Sequence, residues 1–128
     1  MASRQSSRWS LVSMLALTVL VGCGESTQPA DAGQAQDVLH TMLDAWKEGG
    51  SPTDLGKQTP PIQVKDLDWQ GGFRLVSYTT GAEGKLVGYD MNYTVVLELK
   101  DPKGKAVRKT AVYTISTKPE RLVVRQEG

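Results

Sequence analysis

Two carboxylates stand two residues apart in this chain, Asp66 and Asp68, flanking Leu67 just before Trp69. Such a pair in a loop can begin a calcium site or serve a sugar. Calcium takes six to eight oxygen ligands, and no further ladder of Asp or Asn and no distal Glu follows. The pair therefore reads as a polar strand edge, with Trp69 capping the core. Trp69, Asp66 and Asp68 are kept as a candidate ligand surface. Gly71-Gly72 beside them lacks the strand–glycine–helix order of a phosphate loop and reads as a turn or bulge. Four tyrosines, Tyr78, Tyr89, Tyr93 and Tyr113, could line one sheet face. Packing is their more economical use. His40 is the only histidine, so no His-His metal pair exists, and it falls on a polar helix face. No Ser-His-Asp set can be built on it. No catalytic residue and no metal ligand is assigned.

Cys23 is the only cysteine. It offers neither a disulfide nor a cysteine metal site. It closes the tetrapeptide Leu20-Val21-Gly22-Cys23, after an apolar run from Leu11 to Val21. Arg4 and Arg8 precede that run, with no acidic residue before it. A cationic start, a short apolar stretch and small residues at the end make a secretory leader. The run is far shorter than the ~20 residues of a spanning helix. This arrangement resembles the signal peptide and lipobox of bacterial lipoproteins. The resemblance implies cleavage between Gly22 and Cys23, a diacylglyceryl group on the Cys23 thiol and an acyl chain on its amine. Two or more chains anchor a protein stably. It places the chain in the cell envelope, on the periplasmic side of a membrane. Gly24 favours the outer membrane where one exists.

The expected divisions are a signal peptide over 1–22, a lipidated cysteine and flexible tether over 23–34, and one domain over 35–128. Removing the leader takes two of the 15 basic residues and shifts the formal charge from +1 to −1. No basic field is left to attract nucleic acid. The tether, Glu25 to Gln34, has no large apolar residue, and Asp31 is a plausible helix N-cap.

Beyond the tether the apolar residues Ala35, Val38, Leu39, Met42, Leu43 and Trp46 fall at helical spacing, and Gly49-Gly50 stops the helix. Ser51-Pro52-Thr53-Asp54 opens a second, short helix that Pro60-Pro61 ends. The period then becomes two. Val87, Tyr89, Met91, Tyr93, Val95, Leu97 and Leu99 alternate with mostly polar residues, which predicts one long strand. Asp101-Pro102-Lys103-Gly104 fits a type I turn closing a hairpin with a glycine bulge. Pairing Asp101 with Lys105 sets Leu99 against Val107, Val95 against Ala111, Tyr93 against Tyr113 and Met91 against Ile115. Glu98 then meets Arg108. Lys109, opposite Leu97 on the apolar face, is the one misfit. Phe73 to Thr80 is an earlier strand in which Phe73 and Leu75 compete with Val76 and Tyr78 for the inner face. Arg121 to Gln126 is a last strand, and Ile62 to Val64 a short edge.

The result is an α+β fold, one amphipathic helix on a curved antiparallel meander of four to five strands. Its element order over 35–126 resembles the cystatin-like and NTF2-like folds. In ketosteroid-isomerase-like relatives a pocket holds a carboxylate base and a phenol donor, but Asp90 lies on the face opposite Tyr89 and Tyr93. Pro60-Pro61-Ile62, Asp66-Leu67-Asp68-Trp69 and the Asp-Pro-Lys-Gly turn are similar to those of small bacterial lipoproteins of planctomycete type. The functional expectation is a lipid-anchored, non-enzymatic binding or interaction module with an envelope protein as partner. The alternative is an NTF2-like pocket that binds or isomerises a small apolar molecule. No cofactor is expected beyond the covalent lipid.

Overall fold

The computed structural model describes residues 29–81 and 83–127. Gly22 and Cys23 lie outside that range. The chain runs α1 (Ala32–Lys47), α2 (Pro52–Lys57), β1 (Ile62–Lys65), α3 (Leu67–Gln70), β2 (Arg74–Thr80), β3 (Lys85–Val87), β4 (Asp90–Lys100), β5 (Ala106–Ser116) and β6 (Arg121–Arg125). These form an α+β fold with a helix on a curled sheet.

Asp31 caps α1, its Oδ1 accepting the Gln34 N–H at 3.0 Å. The helix thus starts at Ala32, three residues before its apolar stripe, and its first turn overlaps the span the sequence gives to the tether. Ala35, Val38, Leu39, Met42, Leu43 and Trp46 are all buried, as their spacing predicts. At Ser51 the backbone N–H donates to Asp54 Oδ2 at 3.0 Å, so α2 starts at the expected place. Leu55 anchors it in the core.

The strand order is β1-β6-β5-β4-β2, with β3 also paired to β4. The β4–β5 register follows the turn chemistry: Leu99 opposite Val107, Tyr93 opposite Tyr113, Met91 opposite Ile115. Asp101 Oδ1 accepts from the Lys103 and Lys105 backbones at 2.9 and 2.8 Å, and Gly104 takes φ +87°. Arg108 Nε lies 3.2 Å from Glu98 Oε1, both groups exposed. On the inner face Met91, Tyr93, Val95, Leu97, Leu99, Ala111, Tyr113, Ile115 and Val123 meet α1.

Four features depart from the sequence reading. First, β1 pairs with β6 in parallel, Ile62 beside Arg121 and Val64 beside Val123, so the sheet is mixed rather than a pure meander. Second, β2 carries a bulge between Leu75 and Ser77. One extra residue shifts the phase of a strand. Leu75 before the bulge and Tyr78 after it both turn inward, and Val76 faces solvent, which resolves the competition between the two sets.

Third, the long strand does not begin at Val87. Gly88 takes φ +64° and turns the chain, so Val87 pairs back onto Asp90 across a two-residue loop, Gly88-Tyr89. Glycine at the first loop position suits such a hairpin. Val87 and Tyr89 continue the alternation in sequence but stand exposed. Fourth, Asp66 to Trp69 is not a strand edge but the cap and body of a short helix, α3.

Two tryptophans fasten α3 to the end of α1. Their rings stack at 5.5 Å between centroids and 15° between planes. Trp46 Nε1 donates to the Phe73 carbonyl at 2.8 Å, and Trp69 Nε1 to the Gly50 carbonyl at 3.0 Å. Trp46→Phe keeps a ring in the stack and deletes one donor. A lost buried hydrogen bond costs about 1–2 kcal/mol. The unfolding free energy should fall by that amount, read as a lower urea midpoint with an unchanged slope.

Candidate functional site

The carboxylate pair of the sequence becomes a charge cluster under α3. Asp66 leaves β1 as the N-cap, its Oδ1 accepting the Asp68 and Trp69 N–H groups at 3.0 and 3.2 Å. Its side chain is wholly buried. A buried carboxylate is costly unless paired and hydrogen-bonded, and two strands supply the partners. Tyr113 on β5 donates its hydroxyl to Asp66 Oδ2 at 2.5 Å, and Arg125 on β6 donates to Oδ1 at 3.2 Å. Arg125 stands beside Tyr113 in the β5–β6 register, which lets one carboxylate engage both.

Asp68, two residues on, accepts from Arg125 as well, and from Lys109 Nζ at 2.9 Å. Lys109 is the misfit on the apolar face of β5. Its ammonium reaches across the inner face to Asp68 and sits 4.8 Å from the centre of the Phe73 ring. Two acids and two cations thus cancel, with a phenol between them.

The protonation states follow. Burial works to raise the Asp68 pKa, but hydrogen bonds from Lys109 and Arg125 and the charges of both outweigh it, and the carboxyl sits below its ordinary range. Burial also works against the Arg125 charge, and Asp68 and Asp66 reverse that, holding the guanidinium more firmly protonated. Burial first, then the charge and hydrogen bond of Asp66, push the Tyr113 phenol far above its ordinary value. Both Asp66 oxygens, Asp68 Oδ2 and the Tyr113 hydroxyl are engaged. That set holds α3 in place.

Of the three candidate ligand residues, Asp66 and Trp69 are buried. Asp68 borders an open groove of about 620 Å³ with Lys65, Leu67, Lys109 and Arg125, and Trp69 borders another of about 480 Å³ with Trp46, Pro52 and Phe73. Sequence reasoning placed Tyr113 on the concave face but missed Lys109 and Arg125 as partners. The signal was present. Lys109 broke an apolar face, and Arg125 shares the period-two face of Val123. Among the described residues no group of three His, Cys, Asp or Glu is arranged to hold a metal.

A second polar group lies on the other flank. His40 is not simply solvated: its Nδ1 is 3.1 Å from the Tyr78 hydroxyl, which donates to Asp44 Oδ1 at 2.7 Å. Burial, then the Asp44 hydrogen bond and charge, push the Tyr78 phenol up to about 12. His40 also borders an open groove of about 400 Å³ between α1 and Thr80, Gly81, Glu83 and Gly84, lined as well by Leu39, Met91 and Tyr93. Tyr93 and Tyr113 pack inward, and Tyr89 is exposed at the hairpin, so the four tyrosines do not share one pocket. Comparison with protein families, curated proteins and solved structures finds no match.

Three measurements test these assignments. Asp66→Asn keeps the cap and removes the buried charge. Breaking a buried pair costs about 3–5 kcal/mol, and the loss should appear in urea unfolding. Asp68 has a folded pKa below its unfolded one. Its contribution is therefore complete above pH about 4 and lost as pH falls through the folded value. Asp68→Asn should flatten that acid limb of the stability profile. For Tyr78 the sign is opposite: its pKa is raised, so its support is present below pH about 10 and lost above. Absorbance titration of Asp44→Asn should bring one phenol back toward the ordinary range.

Proposed function

We propose that this chain is a lipid-anchored protein of the cell envelope, tethered through Cys23, whose α+β domain is a non-enzymatic binding or interaction module. The carrying observation is the tetrapeptide Leu20-Val21-Gly22-Cys23 directly after an apolar run with two arginines before it. The domain's own features support the second half. The paired carboxylates that offered chemistry are neutralised by Lys109 and Arg125 and hold α3. The proposed site is the periplasmic side of a membrane, the outer one where the organism has one, and the proposed partner is an envelope protein. The lipid is a diacylglyceryl group on the thiol with an acyl chain on the amine.

The second reading, capture of a small apolar molecule, is supported by the groove beside His40. It sets a carboxylate and an imidazole over Leu39 and Met91. Saturable quenching or enhancement of a hydrophobic dye, lost in Met91→Glu, would favour it. The anchor is tested by metabolic labelling with a fatty acid and by fractionation. The native chain should carry label and sediment with membranes. Cys23→Ser should lose the label and appear in the soluble fraction, and a variant still sedimenting would refute the lipid assignment.

A further inference from the structure

The β3–β4 hairpin projects an apolar tip. Leu86 and Val87 are each 54% exposed and Tyr89 59%. Among the described residues the other large hydrophobics this exposed are Leu67 and Val76, each standing apart. Here three fall within four consecutive residues. Isolated exposed apolar side chains need no explanation, but a cluster marks a contact surface. The tip is also held in shape. Leu86 and Val87 pair with Met91 and Asp90, and Gly88 closes the loop. Met91 roots the hairpin in the core.

What this tip faces is indicated by where the chain enters the domain. The Ala30 N–H donates to the Tyr89 carbonyl at 2.8 Å, two residues before α1 begins. The segment leading back to Cys23 is therefore fastened to the tip itself. Seven residue steps separate Cys23 from Ala30, a reach of at most about 25 Å when fully extended. The opposite end of β4 lies 11 residues away, about 35 Å along the strand. That end carries Asp101, Lys103 and Lys105, all charged. The two ends of β4 thus differ, with the apolar tip at the leash and the charged turn remote from it.

We propose that Leu86, Val87 and Tyr89 dip into the interface of the bilayer that holds the lipid on Cys23 and so orient the domain. This rests on the anchor reading above. Tyrosine favours the headgroup level of a membrane, and lysines at such an interface extend their ammonium toward water; Lys85 is exposed at the base of the same hairpin. Glu83, Lys85 and Asp90 give the flanks mixed charge. The contact is therefore apolar and independent of anionic lipid, and the partner is the interfacial zone of a zwitterionic bilayer.

The test uses the full, lipidated chain reconstituted in phosphatidylcholine vesicles. Acylation consumes the Cys23 thiol, so Tyr89→Cys supplies a single site for an environment-sensitive dye. Lys103→Cys supplies the control. The expected result is blue-shifted emission at position 89, quenched by nitroxide-bearing lipids and unchanged by salt, with aqueous emission at 103. Aqueous emission at both positions in vesicles whose protein is acylated by mass would overturn the proposal. So would a shift that needs native envelope membranes and is absent in pure lipid, which would assign the tip to a protein partner. If mass analysis shows no acylation, the anchor reading fails separately. The tip is then judged by adding the unacylated chain to the same vesicles. Partition weakened about tenfold or more in Leu86→Ser/Val87→Ser would sustain it, and equal partition would overturn it.

Discussion

A carboxylate with no exposed surface must be given partners, and Asp66 draws its partners from three parts of the chain. Its own helix supplies two N–H groups, β5 supplies Tyr113 and β6 supplies Arg125. Because Arg125 also serves Asp68, the two acids cannot shift independently, and Lys109 completes the neutralisation. The cluster is thus a joint between the β1–α3 corner and the far strands. Hydrophobic burial packs α1 on the sheet but is indifferent to small slips. Donor and acceptor geometry is not, and the cluster sets where α3 must sit.

The tryptophan pair secures the same corner from the other side. Trp46 on α1 and Trp69 on α3 stack, and each spends its indole N–H on a backbone carbonyl of the loops between helices and strands. Apolar area and satisfied donors thus reinforce each other at one place. Each ring has one face covered by the other.

Most of the fold was legible where local chemistry and periodicity agree. The stripe of α1 needs only helical spacing. The β4–β5 register needs only the turn Asp101 to Gly104 and two faces of matching polarity. The missed features have other causes. The parallel β1–β6 pair joins strands nearly sixty residues apart, and no turn encodes such a partnership. The hairpin at Gly88 hides inside an unbroken alternation, because Val87 and Tyr89 are apolar without being buried. The bulge in β2 showed only as a conflict over which residues face inward. The site was half legible. Asp66, Asp68 and Trp69 were marked, but their partners arrive through tertiary pairing, and their roles depend on burial that two adjacent acids do not advertise.

The place of β6 in the sheet has a consequence for the order of assembly. Among the described residues it is the last strand in sequence, yet it lies between β1 and β5, and β1 pairs there with β6 alone. A chain delivered N-terminus first presents β1 and α3 long before anything exists for them to pair with. Asp66 likewise waits for Arg125. The corner cannot close on an incomplete chain, and the slow step of contact formation is the return of the final strand across most of the sequence.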